Sequence, residues 1–207
     1  MPQYLLAMTI FGTIGLFVKF IDLPSTVIAL SRGALGTLFL LLVLAALKKP
    51  INFAGIRSNF KHLVIAGVAL GLNWIFLFEA YRLTSVATAT LAYYMAPIIL
   101  ILLSPVVLRE RIPLQKWICV VCALLGMSLI SGIWENSHNI AIEGISMGLI
   151  AACFYASVVI NNKFLKDLDP YDSTIVQLAV AAIVLFPYVV LTVDFATLSL
   201  DTTTISL

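Results

Sequence analysis

The chain has little charge, almost no histidine and no polar stretch long enough to build a water-facing domain. It carries 12 Lys and Arg, 10 Asp and Glu and 2 His in 207 residues. A soluble globule has roughly a quarter of its residues charged. A charged share of 11% against 62% hydrophobic, with a mean hydropathy of +1.10, excludes that class. The net charge of +2 is too small for a nucleic-acid partner, and no basic cluster is interleaved with aromatics. Enzyme signatures are missing as well. There is no His-Glu-x-x-His and no Gly-rich loop ahead of a Lys to cradle phosphate, and His62 and His138 fall in different loops. Glu79 is the only acid inside an apolar run, so no intramembrane aspartyl pair can form. No cofactor is implied. Cys119, Cys122 and Cys153 all lie inside apolar runs. They make no loop disulfide framework, the Cys119/Cys122 pair lacks further His or Cys to hold a metal, and all three read as small packing residues.

What the chain has instead is a series of apolar runs, at 4–18, 26–47, 63–83, 86–108, 117–134, 145–160 and 175–193. At 1.5 Å per residue, about 20 residues cover a hydrocarbon core of roughly 30 Å. The runs therefore predict an all-α polytopic bundle that crosses a lipid bilayer about seven times. The first and sixth runs are short. They are expected to extend by burying Phe20 and Ile21, or Asn161 and Asn162, against neighbouring helices rather than lipid. A secretory leader is the rival reading of the N-terminus, but Met1–Tyr4 carries no Lys or Arg and no clear cleavage site follows, which favours a retained first span.

Charge then acts by position. Lys48, Lys49, Arg57 and Lys61, then Arg109, Arg111 and Lys116, then Lys163 and Lys166 follow the even-numbered runs, whereas Lys19 and Arg82 alone follow the odd ones. Basic loops stay cytoplasmic, so the N-terminus and the even-numbered exits are placed in the cytoplasm, on the inner side of the cell (inner or plasma) membrane, with Trp117 at the inner interface and Trp134 at the outer.

The sixth run looks like a second copy of the first. Leu5, Ala7, Phe11, Lys19 and Phe20 align with Leu149, Ala151, Tyr155, Lys163 and Phe164, and Pro24 aligns with Pro170 after two further residues. Five runs separate the start of one copy from the start of the other, so the copies enter the membrane from opposite sides, as in the inverted repeats of secondary carriers.

Three stretches carry a resemblance to a known family. They are Gly71-Leu-Asn-Trp-Ile-Phe-Leu-Phe-Glu79-Ala80-Tyr81, then Thr84-Ser-Val-Ala-Thr-Ala-Thr-Leu-Ala-Tyr93-Tyr94-Met-Ala-Pro97, then Leu108-Arg-Glu110-Arg-Ile-Pro113-Leu-Gln115 on to Gly126, with Arg32 ahead of them. The chain resembles the drug/metabolite transporter superfamily with EamA-type repeats. The resemblance implies a carrier of ten helices in two inverted five-helix repeats that moves small organic solutes, often outward. It divides this chain into a first repeat at 1–134 and a partial second repeat of two helices at 135–207. The counterparts of the third to fifth runs are not in the second part, so the chain reads either as a truncated product that does not transport alone or as one needing a partner chain or homodimer.

Polar groups that lipid does not tolerate mark the candidate pathway. Arg32 and Glu79 lie at similar depths in the second and third runs, and each would cost at least ~2.5 kcal/mol alone in hydrocarbon, so they are expected to face one another or a shared wet cavity. In the functional reading Glu79 takes up and releases a proton while Arg32 holds an anionic group of a small-molecule substrate or the Glu79 carboxylate. In the plain reading they form a structural ion pair or snorkel to the interface. Asn73, Trp74, Tyr93 and Tyr94, with Tyr155 a weaker candidate, either line a midplane pocket or hydrogen-bond between helices. Pro97, Pro105 and Pro187 are expected to break or loosen their helices, as happens beside many carrier sites. Small residues at Ala29, Gly33 and Thr37, at Gly67 and Gly71, and at Gly144, Gly148, Ala152 and Ala156 predict helix-docking faces rather than a dimer interface. Glu110 between Arg109 and Arg111 reads as a solvated turn, with a gating contact as the lesser alternative. The function classes left open are a secondary carrier, a passive pore, and a non-transporting fragment or packing subunit.

Overall fold

The computed structural model describes residues 24–107, 113–130 and 142–193, which form α1 (Ser25–Ala46), α2 (Phe53–Ser58), α3 (Phe60–Leu83), α4 (Val86–Tyr93), α5 (Ala96–Val107), α6 (Leu114–Ile130), α7 (Ile142–Lys163) and α8 (Pro170–Thr192), with no strand among the described residues. Five helical stretches are long and apolar enough to cross a membrane: Thr26–Ala46, Phe60–Leu83, Thr88–Pro105, Ile142–Lys163 and Pro170–Thr192. They coincide with the second, third, fourth, sixth and seventh apolar runs, and the shorter apolar helix Leu114–Gly126 stands in the fifth. The protein is an all-α polytopic membrane protein. The first run, the Arg109-Glu110-Arg111 turn and Trp134 lie outside the described residues. The helix of the short sixth run extends as expected. The helix built on it, α7, has 22 residues because it starts at Ile142 and runs on through Asn161 and Asn162, which bond to His62 and Gln177 on neighbouring helices.

The helices meet through small residues and turn their large ones outward. α3 packs on α7 and α8, α1 on α8, and α4 and α5 on α7. A methyl group added at Gly67 would sit 2.6 Å from Val180 Cβ and 3.0 Å from the Gln177 carbonyl, and one at Gly71 would sit 3.0 Å from Val184 Cβ. On α7, Gly144 abuts Thr84 and Gly148 abuts Ala92 and the Ala89 carbonyl of α4, while Ala152 and Ala156 are buried further along. Gly33 of α1 rests on Ala182 of α8. All three small-residue stripes are thus intramolecular contacts, where closely approaching backbones gain dispersion energy that hydrocarbon solvent does not otherwise supply. Leu35, Phe39 and Leu42 on α1 and Ile183, Phe186 and Leu191 on α8 point outward. So do Cys119, Cys122 and Cys153, which are exposed on helix surfaces and do not fill the core as expected.

The prolines behave differently from one another. The fourth run is interrupted at Tyr94–Met95, between α4 and α5. Pro97 has no N–H to give to the Tyr93 carbonyl, and the Met95 N–H turns back to Ala92 at 3.2 Å, which leaves Pro97 in the first turn of α5, where proline is tolerated. Pro105 and Pro187 lie inside helices that continue past them. Pro105 frees the Ile101 carbonyl, and the Ser104 hydroxyl donates to it at 2.9 Å. Pro187 lies between Leu185 and Val189, both fully buried, and one missing bond does not outweigh that packing.

At one end of the bundle the loop after α1 is tied to the loop after α7. The Lys49 ammonium donates to Asp169 and lies 5.2 Å from the Tyr171 ring, the Asn52 N–H donates to the Asp172 carboxylate at 3.1 Å, and the Asn59 amide bonds reciprocally with the Lys166 backbone at 2.9 and 3.1 Å. Each loop holds one non-glycine residue in the left-handed region, Lys48 at φ 50° and Asp167 at φ 51°. Asp169 also caps α8 by accepting from the Tyr171 N–H, with Pro170 at the first helical position. The hydrogen bond between the two side chains raises the pKa of Lys49 and, with the Tyr171 N–H, lowers that of Asp169.

Two outcomes follow for stability in detergent. Gly67→Leu should destabilise by about 1–3 kcal/mol through overpacking against Val180, whereas Gly126→Ala, with nothing within 4 Å of the added carbon, should leave the thermal midpoint unchanged or slightly raised. The contribution of the Lys49–Asp169 pair should be flat across neutral pH. The lowered Asp169 pKa means its share is lost only as pH falls below the ordinary value of 3.8, and the raised Lys49 pKa means its share is lost only as pH climbs above 10.5. The difference in midpoint between wild type and Lys49→Gln should therefore be the same at pH 6 and pH 8, and the exchange Lys49→Asp with Asp169→Lys should recover it.

Candidate functional site

The polar residues of the mid-membrane region gather where α3, α4 and α7 meet. Asn73 of α3 is completely buried, and its Nδ2 donates to the Ala151 carbonyl of α7 at 2.7 Å. That bond fixes which way the amide points, and it leaves Oδ1 buried without a hydrogen-bond donor among the described residues. A buried acceptor left unpaired costs about 1–3 kcal/mol, so a native fold retains one for a reason. Tyr93 of α4 lies beside this amide, within electrostatic reach of Tyr155, Tyr81 and Arg32. Its ring meets Tyr155 of α7 edge-on at 5.8 Å, and Phe76 stacks on Phe154 at 5.5 Å one turn along. Tyr94 is 61% exposed at the helix interruption and faces outward.

Arg32 and Glu79 do not pair. The Arg32 guanidinium sits over the Trp74 ring, 5.4 Å from its centroid, and has no carboxylate within 4 Å among the described residues. Glu79 is held elsewhere, by Arg82 at 3.0 and 3.3 Å and by the Tyr188 hydroxyl of α8. Equal depths counted from helix ends put the two charges level only if those ends are level. Five residues, or about 7.5 Å of rise, separate Trp74 from Glu79, and α1 brings Arg32 to the former. Charged donors over an indole face form a cation–π contact that leaves the guanidinium edge free for an anion.

The structure thus brings together Asn73, Tyr93 and Tyr155, with Arg32 and Trp74 alongside, and sets Glu79 with Tyr188 and Arg82 apart from them. Tyr188 is the residue that sequence reasoning passed over. The signal was there, since a phenol inside an apolar run needs a partner as much as Tyr93 does. A fixed acceptor, a cation with unused donors and aromatic walls are together able to hold a small polar organic molecule.

Known proteins place the chain in a family. Residues 3–132 match the EamA-like transporter family. The uncharacterized transporter YxxF of Bacillus subtilis is 30% identical over 189 residues, which cover 90% of this chain and 61% of that protein. An uncharacterized transporter of Archaeoglobus fulgidus is 28% identical, covering 86% of this chain and 61% of the other. The pseudopaline exporter CntI of Pseudomonas aeruginosa is 29% identical over 80% of this chain and 56% of its own length. The chain spans about three fifths of the length of these curated relatives. No solved structure matches it. With a family match over more than half of its residues, on a bundle of membrane-crossing helices, the chain belongs to the EamA-like transporter family.

Proposed function

We propose that this protein is a secondary carrier that exports a small organic solute across the plasma membrane in exchange for protons. The substrate is held at Arg32, Trp74, Asn73, Tyr93 and Tyr155, and Glu79 carries the proton. The observation on which this rests is the completely buried Asn73, whose Oδ1 accepts no hydrogen bond among the described residues and lies near aromatic groups and an Arg32 that has no carboxylate partner among those residues. A merely structural amide would bond through both ends. Export is favoured by the likeness to a pseudopaline exporter. The end that carries Lys48, Lys49, Arg57, Lys61, Lys163 and Lys166 is read as cytoplasmic, because basic residues resist translocation. In this reading 1–134 forms one five-helix repeat and 135–207 begins its inverted counterpart. Because the chain spans about three fifths of its relatives, transport is proposed for the whole protein.

Solvent access tests the site without knowledge of the substrate. With Cys119, Cys122 and Cys153 replaced by Ala, single cysteines at Arg32, Tyr93 and Tyr155 should react with a membrane-impermeant methanethiosulfonate, while one at the outward Leu38 should not. Reaction at those three positions no faster than at Leu38 would remove the pathway. Asn73→Leu should lower stability by about 1 kcal/mol or less, the usual worth of one interhelical hydrogen bond in a membrane. It should also abolish the difference in exported metabolites that mass spectrometry detects between expressing and empty cells. A variant that loses stability but keeps that difference would make Asn73 a packing residue only.

A further inference from the structure

The Tyr188 hydroxyl of α8 donates to the Glu79 carboxylate of α3, with the Arg82 side chain of α3 beside the same phenol. Around it the two helices touch through groups that cannot tie them together: Gly67 on Val180, Gly71 on Val184, and the buried Ala80, Leu185 and Val189. We propose that Tyr188 is a positioning residue that makes the contact between α3 and α8 depend on the protonation of Glu79, holding the helices tightly at this end while Glu79 is ionised and loosening them when it takes a proton. This rests on the reading of Glu79 as the proton carrier and adds what the proton does.

The asymmetry between the two donors of Glu79 carries the idea. Arg82 sits three residues away on the same helix with its side chain 71% exposed, so it can swing into water without moving any helix. Tyr188 belongs to the other helix, and its bond cannot be lost without loosening the contact. An ionised carboxylate accepts from both donors, with the charge strengthening each bond. Protonation removes the charge and turns one oxygen into a donor, and the bond from the neutral phenol is then an ordinary one between uncharged groups. Glu79 keeps 27% of its side chain exposed, which gives the proton a way in. Pro187, directly before Tyr188, leaves α8 one backbone bond short at this point and therefore easier to bend.

Among the described residues, other groups do not compete for the role. On α3 the neighbouring titratable groups are Arg82 and Tyr81, the latter directed to Thr90 of α4. α4 offers the hydroxyls of Ser85, Thr88 and Thr90, which do not titrate. α7 offers Glu143, exposed at its start, next to the Gly144 contact with Thr84. At the opposite end of the bundle the Lys49–Asp169 pair stays ionised through neutral pH, so a proton taken up near neutrality acts on one end alone.

The test is the distance between spin labels on cysteines at Leu83 and Leu191, the outward-facing ends of α3 and α8, in the cysteine-free protein in liposomes. Measured by double electron–electron resonance from pH 5 to pH 9, wild type should shift from a longer to a shorter distance as pH rises. Tyr188→Phe, which keeps the ring, and Glu79→Gln, which mimics the protonated state, should each show the longer distance at every pH. Arg82→Gln should retain the pH response. A wild-type distance that ignores pH, or a Tyr188→Phe variant that responds as wild type does, overturns the proposal. No solute is transported in this measurement, so a failure here leaves the thiol-access result at Arg32, Tyr93 and Tyr155 standing, and the reverse holds too.

Discussion

Close approach of backbones along α3, α7 and α8 is the condition on which the rest of this bundle depends. Lipid tails are as apolar as leucine, so burying leucine gives membrane helices no reason to associate, and dispersion contacts between closely packed backbones must do the work. Glycine and alanine permit that approach. Gly67 and Gly71 admit α8 to α3, and Gly144 and Gly148 admit α4 to α7. The usual order of a soluble protein is inverted as a result, with small residues inside and Leu, Ile and Phe facing out.

Tight contacts also decide where polar groups can exist. Once α3 and α7 are close, the Asn73 amide reaches the Ala151 carbonyl directly, and its oxygen is stranded where only a further donor could serve it. The same approach lets Tyr93 reach the Tyr155 ring across the α4–α7 contact. The polar residues of the loops face a different problem. Outside the hydrocarbon they can be served by water, yet Lys49, Asn52 and Asn59 reach across to Asp169, Asp172 and Lys166 and hold α1 and α8 together at that end.

The helical stretches, their approximate ends and their docking faces were legible in the residues, because hydropathy and small-residue spacing are local properties that a few turns of chain display. The EamA resemblance, carried by the stretch from Gly71 to Pro97, agrees with the family match. Less of the site was legible. Asn73, Tyr93 and Tyr155 converge, but Arg32 lies over Trp74 instead of meeting Glu79, and Tyr188 had no place in the expected pathway. Pro105 and Pro187 could not be told from Pro97 by residue type, because the outcome depends on whether a neighbour such as Ser104 serves the freed carbonyl or the helix is held by packing.

By itself the amino-acid order determined that this protein lives in a bilayer, that its elements are helices, and which faces of them are smooth enough to dock. Those follow from composition and from a period of 3.6 residues, and neither needs a neighbour to be known. Tertiary structure alone decided who partners whom at a given depth. The rotation of each helix and its axial offset, set by where glycine lets it settle, place Arg32 on an indole and Glu79 on a phenol, and a shift of one turn, about 5.4 Å, would have chosen other partners.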